Sequence, residues 1–416
     1  MKKLVLLITL IALVIKLDAQ PKKILWIGNS YVASNNLPQM FYNLALSGGD
    51  TVIFDSNIPG GFTLSAHTDN ATTLQKIAQP GWDYVIIQAQ SQEPSFPPSQ
   101  VESQTLPFAI ELDSLVHAAN PCATTVFYMT WGRRFGDDQN CQNYPPLCTF
   151  EGMTLRLRWG YKIMAEATEA IIAPAGMAWK AAIEQDPNLN LWVSDNSHPA
   201  LSGSYLTACT FYTTVFRKPS LGLSFTAGLE TSQVNFLQGI ADATVNDSLD
   251  VWNIDRWTPQ AGMSYLSDGL QVNFQQESFN SSNFYWDFGD GNTSTLPNPN
   301  HTFENPGEYE VSLIAGNGCV SDTLTETLQI SVTNATEKLA DSWRIFPNPA
   351  DKLVLIQAIN AEQFHIAVYS SNGKLVKAFD EEGSQIKMDF SDLEPGIYQI
   401  VCSTRSDQKI FRIMKD

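Results

Sequence analysis

The 416 residues of this chain exceed the roughly 250 to 300 at which a single hydrophobic core stops growing, so we expect two or three domains. Apolar residues make up 44% of the chain and charged residues 16%, a composition that excludes a disordered protein. The formal net charge of -18 would repel phosphate backbones and anionic lipids, so nucleic acid is not an expected partner.

Residues 1–19 have the pattern of a secretion signal. Lys2 and Lys3 precede an apolar run from Leu4 to Ile15, and Ala19 supplies the small residue at which a signal peptidase would cut. The run is shorter than the about 20 residues that a membrane-spanning helix needs, and no later segment reads as a transmembrane helix. We therefore expect an exported protein with no transmembrane segment.

Short β-rich runs alternate with longer amphipathic stretches from Lys23 to about Phe216. The predicted strands are 23–28, 51–55, 83–88, 123–130 and 170–173, and the predicted helices are 37–47, 64–78, 100–118, 152–169, 176–185 and 202–215. Strands that alternate with helices pair in parallel through crossover connections. We predict a three-layer α/β domain over residues 20–245, with its active site at the carboxyl ends of the strands.

Two cysteines, Cys141 and Cys148, flank a Pro-rich loop and are predicted to form a disulfide. A zinc site is the alternative, but no Cys or His pair at ligand spacing stands beside them, so no metal and no cofactor is predicted. The pairing of the other cysteines stays open: Cys122, Cys209, Cys319 and Cys402.

Two distant segments carry residues suited to acyl transfer. The first strand stops at Gly28, where the chain can turn sharply and present Ser30. Far downstream, Asp195 and His198 are three positions apart on one short loop. On a bent loop they could converge on a serine, with Asp195 fixing the imidazole tautomer and His198 taking the proton from Ser30.

Three further residues are candidates for substrate binding. Trp131 and Arg133 follow the fourth strand toward the expected active face, where Trp131 could stack on a sugar ring and Arg133 could hold a carboxylate. The alternative is a disulfide-pinned insertion that only covers the sheet edge. His67 lies near the Gly60-Gly61 pair and could line the pocket, or it could be a buried, hydrogen-bonded histidine.

The order of these motifs resembles the SGNH/GDSL hydrolase family over residues 22–217. The resemblance rests on Gly28-Asn29-Ser30-Tyr31, Gly60-Gly61, the strand 83–88 with its polar exit, and Asp195-Asn196-Ser197-His198. It implies a flavodoxin-like α/β/α sandwich and ester hydrolysis, commonly of carbohydrate acetyl groups or lipid esters.

The resemblance also implies site roles, with Ser30 as nucleophile, His198 as base and Asp195 as the acid that orients it. The implied oxyanion donors are the backbone N–H groups of Ser30 and of Gly60 or Gly61, together with a side-chain amide after strand 83–88. The sequence departs from the family at this side-chain amide, because Gln92 stands where an Asn is usual. Gln90 could supply the amide instead. Asn29 likewise replaces a frequent Asp.

Two all-β units are predicted beyond residue 258. Residues 258–333 alternate at period two, and Tyr285-Trp286-Asp287-Phe288-Gly289-Asp290-Gly291 resembles the PKD-type immunoglobulin-like domain. A polar linker, 334–341, precedes residues 342–416, whose Pro347-Asn348-Pro349 motif resembles the type A sorting domain of the type IX secretion system. That resemblance implies the type IX secretion machinery as a partner, with release or attachment at the outer cell surface.

These observations predict a secreted or cell-surface serine esterase acting on an ester substrate such as an acetylated carbohydrate. A glycan-binding or adhesion protein on an inactive hydrolase scaffold is the alternative from another class. A lipid esterase is the third possibility. The sequence does not distinguish the substrates, the released from the tethered form, or the oligomeric state.

Overall fold

The computed structural model describes residues 20–331 and most of residues 336–415. The residues outside the description are 1–19, 332–335, 339–342, 347–349, 351, 359–362, 371–373, 384, 404–407 and 416. The predicted secretion signal and the Pro347-Asn348-Pro349 motif therefore lie outside the described residues. The chain divides into two compact units, residues 1–252 and residues 253–416.

The first unit is built on a five-stranded parallel sheet with the strand order β2-β1-β3-β4-β5. The strands are β1 (Lys22–Ile27), β2 (Val52–Asn57), β3 (Tyr84–Ile87), β4 (Thr124–Tyr128) and β5 (Ile171–Ala173). In β1, Ile24 to Ile27 are fully buried on both faces of the sheet, as expected for a parallel sheet covered by helices. This order is that of flavodoxin-like folds, and the predicted α/β/α architecture is confirmed.

Ten α-helices accompany this sheet in the described part of the first unit. They are α1 (Ser30–Ala33), α2 (Leu37–Ser47), α3 (Leu64–Thr68), α4 (Ala71–Ile77), α5 (Pro98–Gln104), α6 (Leu106–Ala119), α7 (Phe150–Ala167), α8 (Ala175–Gln185), α9 (Leu201–Phe216) and α10 (Thr231–Asn246). Single 3-10 turns lie at Ser34–Asn36, Glu93–Ser95, Pro145–Cys148 and Asp250–Trp252. Helices α2, α8 and α10 pack around α9, whereas α3, α4, α5 and α7 pack around α6.

The helix predictions differ from the structure in two ways. The segment 64–78 forms two helices because the Asn70 side chain caps α4 by accepting the N–H of Thr73. The segment 100–118 likewise divides at Thr105, just before the Leu106-Pro107 start of α6. The sequence reading missed α1 and α10. Helix α10 packs on α9 and so extends the buried core around Trp26 and Phe211.

The second unit contains antiparallel sheets only, among the residues that the structure describes. Its first part has sheets of order β10-β7-β6-β13 and β12-β11-β8-β9, and its second part has sheets of order β14-β15-β18 and β17-β16-β19-β20. The first-part strands are β6 (Met263–Asp268), β7 (Gln271–Gln276), β8 (Asn283–Asp287), β9 (Thr293–Ser294), β10 (Asn300–Thr302), β11 (Gly307–Gly316), β12 (Ser321–Ile330) and β13 (Thr336–Lys338). The second-part strands are β14 (Trp343–Phe346), β15 (Leu353–Ala358), β16 (Gln363–Ser370), β17 (Leu375–Glu382), β18 (Gln385–Asp389), β19 (Gly396–Ser403) and β20 (Gln408–Lys415).

The core of the second unit agrees with the predicted alternation, and its predicted linker is partly a strand. Trp286 and Phe288 are buried in the core of the first part together with Phe274, as the alternation predicted. The predicted linker 334–341 contains β13, which pairs antiparallel with β6, so part of it belongs to a sheet. Across the whole described chain, no helix has both the length and the apolar character needed to cross a bilayer.

Candidate active site

The nucleophile candidate, Ser30, begins α1 three positions after Ile27, where β1 ends. Gly28 is required at this turn because a Cβ there would lie 2.7 Å from Val32 and 2.8 Å from the Gln88 side-chain oxygen. The close approach lets Gln88 Oε1 accept the backbone N–H of Asn29 at 2.9 Å. The turn that presents Ser30 is therefore held by Gln88, the residue that follows the neighbouring strand β3.

Asn29 joins the Ser30 turn to the loop after β2. Its Oδ1 caps α1 by accepting the N–H of Tyr31 at 3.1 Å, and its Nδ2 donates to the carbonyl oxygen of Phe62 at 3.0 Å. Only a side chain with both an acceptor and a donor can make these two bonds. The amide thus explains why Asn rather than Asp suits position 29 in this chain.

The loop between Trp192 and Pro199 carries the base and acid candidates. A bridge between these two residues closes its base, and Val193 N–H donates to the His198 carbonyl at 3.0 Å. Asp195 Oδ1 accepts the N–H groups of Ser197 and His198, each at 2.9 Å. Asp195 Oδ2 lies 2.6 Å from His198 Nδ1, so the same carboxylate holds both the backbone and the ring of the loop.

The environment keeps Asp195 ionised. Partial burial acts to raise the pKa of this carboxyl, but the N–H donors of Ser197 and His198 and the bond to the imidazole outweigh it and hold the pKa below its ordinary value. The side chains of Asp195 and His198 remain 47% and 36% exposed. A charged Asp195 therefore faces the imidazole at the protein surface.

The structure brings Ser30, His198 and Asp195 into one hydrogen-bonded row. Ser30 Oγ lies 2.8 Å from His198 Nε2, across 168 positions of chain, and the opposite ring nitrogen faces Asp195. With Nδ1 donating to the carboxylate, Nε2 is free to accept a proton from the serine hydroxyl. Chemically, the row can deprotonate Ser30 as it attacks a carbonyl carbon.

The Gly60-Gly61 pair lies in a tight turn beside Ser30. Phe62 N–H donates to the Pro59 carbonyl at 3.4 Å, and Gly61 has φ +74°, a conformation that favours glycine. The Asn29 amide holds the Phe62 carbonyl of the same turn. Among the residues that the structure describes, no atom outside the local chain lies within 4 Å of where a Gly60 or Gly61 Cβ would be, so this turn is open to them on that side.

The two glutamine candidates for the oxyanion hole contact each other. Gln90 Oε1 accepts the backbone N–H of Gln92 at 2.7 Å. Gln92 Nε2 donates to Asp137 Oδ2 at 2.7 Å, which occupies one of its two N–H groups. Gln90 Nε2 has a longer contact, 3.4 Å, to Gln92 Oε1. Both amides therefore retain N–H capacity.

Asp137 is a fully buried carboxylate that the sequence reading missed. It accepts from Gln92, from Asn140 Nδ2 at 2.8 Å and from Arg133 Nη1 at 3.2 Å. Arg133, a predicted substrate ligand, is thus paired with a carboxylate of its own chain, with its side chain 25% exposed. The predicted Cys141–Cys148 disulfide closes this loop and is confirmed, while Cys209 and Cys402 are buried thiols.

The predicted role of Trp131 in sugar stacking is wrong. Its side chain is fully buried between the rings of Tyr31 and Trp179, whose ring centres lie 5.1 and 3.6 Å away in nearly parallel planes. Both faces of the indole are therefore covered. Its Nε1 instead donates to the Ser197 carbonyl at 3.1 Å.

The predicted pocket-lining role of His67 is also wrong, and the buried alternative is correct. His67 is fully buried, with Nε2 donating to the Gly28 carbonyl at 3.0 Å and Nδ1 2.8 Å from Thr73 Oγ1. Burial lowers the pKa of His67 to about 4, although the bond to Gly28 acts in the opposite direction. A neutral, enclosed imidazole cannot contact a substrate.

An exposed aromatic ring beside the loop was not anticipated. Phe135 is 64% exposed, and the preceding residue, Arg134, donates its backbone N–H to the Asn196 carbonyl at 2.9 Å. The only sequence signal was the position of the segment after β4. No group of three or more His, Cys, Asp or Glu side chains in the described part of the chain is arranged to hold a metal ion.

Comparison with known families assigns the C-terminal parts of the chain. Residues 259–332 match the family model of the PKD domain, and residues 344–416 match that of the secretion system C-terminal sorting domain. Residues 344–416 are a sorting domain. The protein is therefore exported through the type IX secretion system, to the medium or to the cell surface. Neither model covers the residues of the candidate active site.

Several known proteins resemble parts of this chain. Collagenase ColQ1 of Bacillus cereus (strain Q1) is 32% identical over 123 residues, which cover 29% of this chain and only 12% of the collagenase. A solved DUF4886 family protein from Bacteroides uniformis ATCC 8492 is 18% identical, covers 54% of this chain and 95% of its own, and has a TM-score of 0.48. The psychrotrophic esterase EstA from Pseudoalteromonas sp. is 14% identical, covers 47% of this chain and 97% of its own, and has a TM-score of 0.33.

Proposed function

We propose that the protein is an exported serine esterase that removes acetyl groups from carbohydrates. The observation that carries the proposal is the row in which His198 lies 2.8 Å from Ser30 Oγ and 2.6 Å from Asp195. Its position at the carboxyl ends of the strands of a flavodoxin-like sheet is where such folds place their active sites. The resemblance of the first half to SGNH/GDSL hydrolases supports the same activity.

The proposed reaction has two steps. Ser30 Oγ attacks the ester carbonyl carbon while its proton moves to His198 Nε2, and His198 then gives that proton to the leaving alkoxide. The C–O bond of the ester breaks, the alcohol leaves and Ser30 carries the acyl group. Water, deprotonated by His198, then attacks the acyl carbon and releases the acid and Ser30. Asp195 stays ionised and stabilises the imidazolium in both steps.

Backbone and side-chain donors would hold the negative oxygen of each tetrahedral intermediate. The proposed donors are the N–H of Ser30, an N–H of Gly60 or Gly61, and the amide of Gln92 or Gln90. Each such donor contributes about 3 to 4 kcal/mol to lowering the barrier. The Asn29 bond to Phe62 supports this assignment because it ties the glycine turn to the nucleophile turn.

Surface exposure of the row supports a bulky substrate. With the Asp195 and His198 side chains 47% and 36% exposed, an acyl group attached to a large carbohydrate could reach Ser30 without entering an enclosed channel. The exposed ring of Phe135, next to the catalytic loop, offers a face on which a sugar ring can pack. These features favour a carbohydrate over a lipid ester.

The first test concerns the nucleophile. We expect wild type to hydrolyse p-nitrophenyl acetate and Ser30→Ala to lose activity by about 10⁴-fold or more. Ser47→Ala is the matched control, since Ser47 lies at the end of α2 and donates to the Leu44 carbonyl. Equal turnover by wild type and Ser30→Ala would remove Ser30 from the mechanism. Tight glycan binding without acyl release would favour the non-catalytic alternative.

The second test concerns the substrate. We expect wild type to release acetate from acetylated oligosaccharides. Phe135→Ala should raise KM for these substrates roughly three- to ten-fold, which corresponds to the loss of about 1 kcal/mol of ring stacking. The same variant should leave the turnover of p-nitrophenyl acetate unchanged. Phe279→Ala is the control because Phe279 is also exposed, at 54%, and lies in the second unit. A preference for long acyl chains would point to a lipid esterase instead.

A further inference from the structure

Four aromatic side chains form a continuous stack beneath the candidate active site. The aromatic stack consists of Tyr31, Trp131, Trp179 and Trp192, all at most 3% exposed. Tyr31 and Trp131 lie parallel with ring centres 5.1 Å apart, and Trp131 and Trp179 lie parallel at 3.6 Å. Trp192 meets Trp179 edge-on at 5.1 Å. The stack therefore runs from the residue after Ser30 to the residue at the base of the catalytic loop.

The chain brings these rings together from separate elements. Tyr31 lies in α1, after β1; Trp131 follows β4; and Trp179 lies in α8, after β5. Two glycines permit the close packing around Trp179. A Cβ at Gly203 would lie 2.4 Å from the Trp179 ring, and a Cβ at Gly176 would lie 2.0 Å from the Thr130 carbonyl oxygen. The stack is thus anchored to the ends of three strands of the sheet.

Two polar groups of the stack converge on Ser197, the residue before the candidate base. Trp131 Nε1 donates to the Ser197 carbonyl at 3.1 Å, and the Tyr31 hydroxyl lies 2.6 Å from Ser197 Oγ. Burial raises the pKa of Tyr31, so its hydroxyl stays protonated at neutral pH. The Tyr31 ring also meets the His198 imidazole edge-on, with ring centres 5.1 Å apart.

These contacts approach the loop from the protein interior, whereas its outer side faces solvent. Asp195, 47% exposed, supports the loop through its own carboxylate bonds, and the Arg134 N–H holds the Asn196 carbonyl of the same loop. A serine and its base must be aligned within a fraction of an ångström, and a displacement of about 1 Å can cost about 100-fold in rate. An exposed loop alone offers less control than a loop held against rigid, buried rings.

We propose that Tyr31 and Trp131 are positioning residues for His198, which they align on Ser30 through Ser197 and through the ring contact. The proposal rests on the proposed esterase function and deepens it. Neither residue donates or accepts a proton in the reaction. Their removal affects the chemical step and leaves substrate binding unchanged, because they lie beneath the row.

The test removes one hydrogen bond at a time. Tyr31→Phe keeps the ring and deletes the hydroxyl, and Trp131→Phe keeps an aromatic ring and deletes the indole donor. Trp82→Phe is the matched control, because Trp82 is also buried, at 8% exposure, and its Nε1 also donates to a backbone carbonyl, that of Lys76 at 2.9 Å, away from the row. Each variant is made in the full chain and compared at equal folded fraction, checked by near-ultraviolet circular dichroism.

Two readouts decide the outcome. With p-nitrophenyl acetate, we expect kcat to fall between about ten-fold and about 100-fold in Tyr31→Phe and Trp131→Phe, with KM within two-fold of wild type. Hydrogen exchange of the amides of residues 193–198 is expected to accelerate about ten-fold or more in both variants. Trp82→Phe should match wild type in both measurements.

The exchange measurement separates this proposal from the esterase proposal. If wild type and Ser30→Ala hydrolyse the probe equally, the proposed function fails, and exchange in residues 193–198 alone then decides whether the aromatic stack holds the loop. Unchanged exchange in both variants overturns the proposal whatever the activity. A kcat within two-fold of wild type in an active enzyme also overturns it, as does an equal fall in Trp82→Phe.

Discussion

Two histidines contact the short stretch of chain that follows β1, and their surroundings are opposite. His198 Nε2 lies 2.8 Å from Ser30 Oγ, and His67 Nε2 lies 3.0 Å from the Gly28 carbonyl oxygen. The first ring is partly exposed and faces the Asp195 carboxylate; the second is fully buried and faces the neutral hydroxyl of Thr73. The same side chain faces a charged partner at one site and is enclosed among neutral groups at the other.

Electrostatics explains the difference. The His198 ring faces an ionised carboxylate at 2.6 Å, the partner that stabilises the imidazolium formed when a serine proton is transferred. At position 67 the described partners are an uncharged hydroxyl and a carbonyl oxygen, and burial lowers the pKa of the ring to about 4. A general base must accept a proton at working pH, so only His198 suits that role. His67 serves instead as a structural link between α3 and the end of β1.

The largest expected effect is the difference in activity between a variant that lacks His198 and one that lacks His67. His198→Gln should lower kcat/KM for p-nitrophenyl acetate by about 10⁴-fold or more, because Gln cannot accept the serine proton. His67→Gln should lower it by less than about ten-fold, since a Gln amide can still donate to the Gly28 carbonyl. Steady-state kinetics of the two folded variants measures the contrast. Comparable losses in both would show that the comparison between the two sites is mistaken.

The next effect concerns acid stability. Burial holds the pKa of His67 at about 4, below the ordinary 6.5. Between pH 6.5 and pH 4, His67 is therefore protonated in the unfolded chain but still neutral in the folded chain. The contribution of His67 to the free energy of unfolding is therefore complete above pH 6.5. It falls by up to about 3 kcal/mol as the pH is lowered toward 4.

Denaturant unfolding followed by tryptophan fluorescence at pH 7 and pH 4.5 would measure this loss. His67→Gln should flatten the pH dependence of the first unit, whereas the matched replacement of the solvent-facing His365, 58% exposed, should leave it unchanged. A wild-type stability that does not fall between pH 6.5 and 4.5 would contradict the assignment.

The smallest expected effect tests the polar contacts near His67. Asn29→Asp keeps the cap acceptor for α1 but places a carboxylate oxygen against the Phe62 carbonyl, so we expect a loss of about 1 to 3 kcal/mol of unfolding free energy. Asn70→Asp is the control, since the described side-chain bonds of Asn70 all use its Oδ1 as acceptor, and it should change stability by less than about 0.5 kcal/mol. Equal losses would remove the special role of the Asn29 amide.

Much of the fold could be read from the sequence because the signals were local. The alternation of strands and helices predicted the parallel sheet, and the hydrophobic alternation around Trp286 predicted the sandwich core. The boundaries between α3 and α4 and the helix α10 were not predicted. Caps such as Asn70 can start a new helix where the apolar pattern continues, and α10 is stabilised by its contact with α9.

The residues of the candidate site were predicted from the sequence with mixed success. Ser30, His198 and Asp195 were identified because a turn after a strand and a three-residue spacing are properties of the chain itself. Trp131 was assigned to the substrate because an aromatic residue after a strand has the same sequence pattern whether it faces solvent or the core. Asp137 and Tyr31 were missed because their roles depend on partners far along the chain.

The sequence by itself determined the order of the strands and helices, the export domain at residues 344–416 and the three side chains that could perform acyl transfer. The tertiary structure decided which of two histidines contacts a serine and a carboxylate and which is buried, which aromatic ring is buried and which is exposed, and how the loop of His198 is held on Ser30. The physical reason is that hydrophobic periodicity and turn chemistry act over a few residues, whereas burial, pKa and alignment depend on groups that only folding brings within 3 to 5 Å.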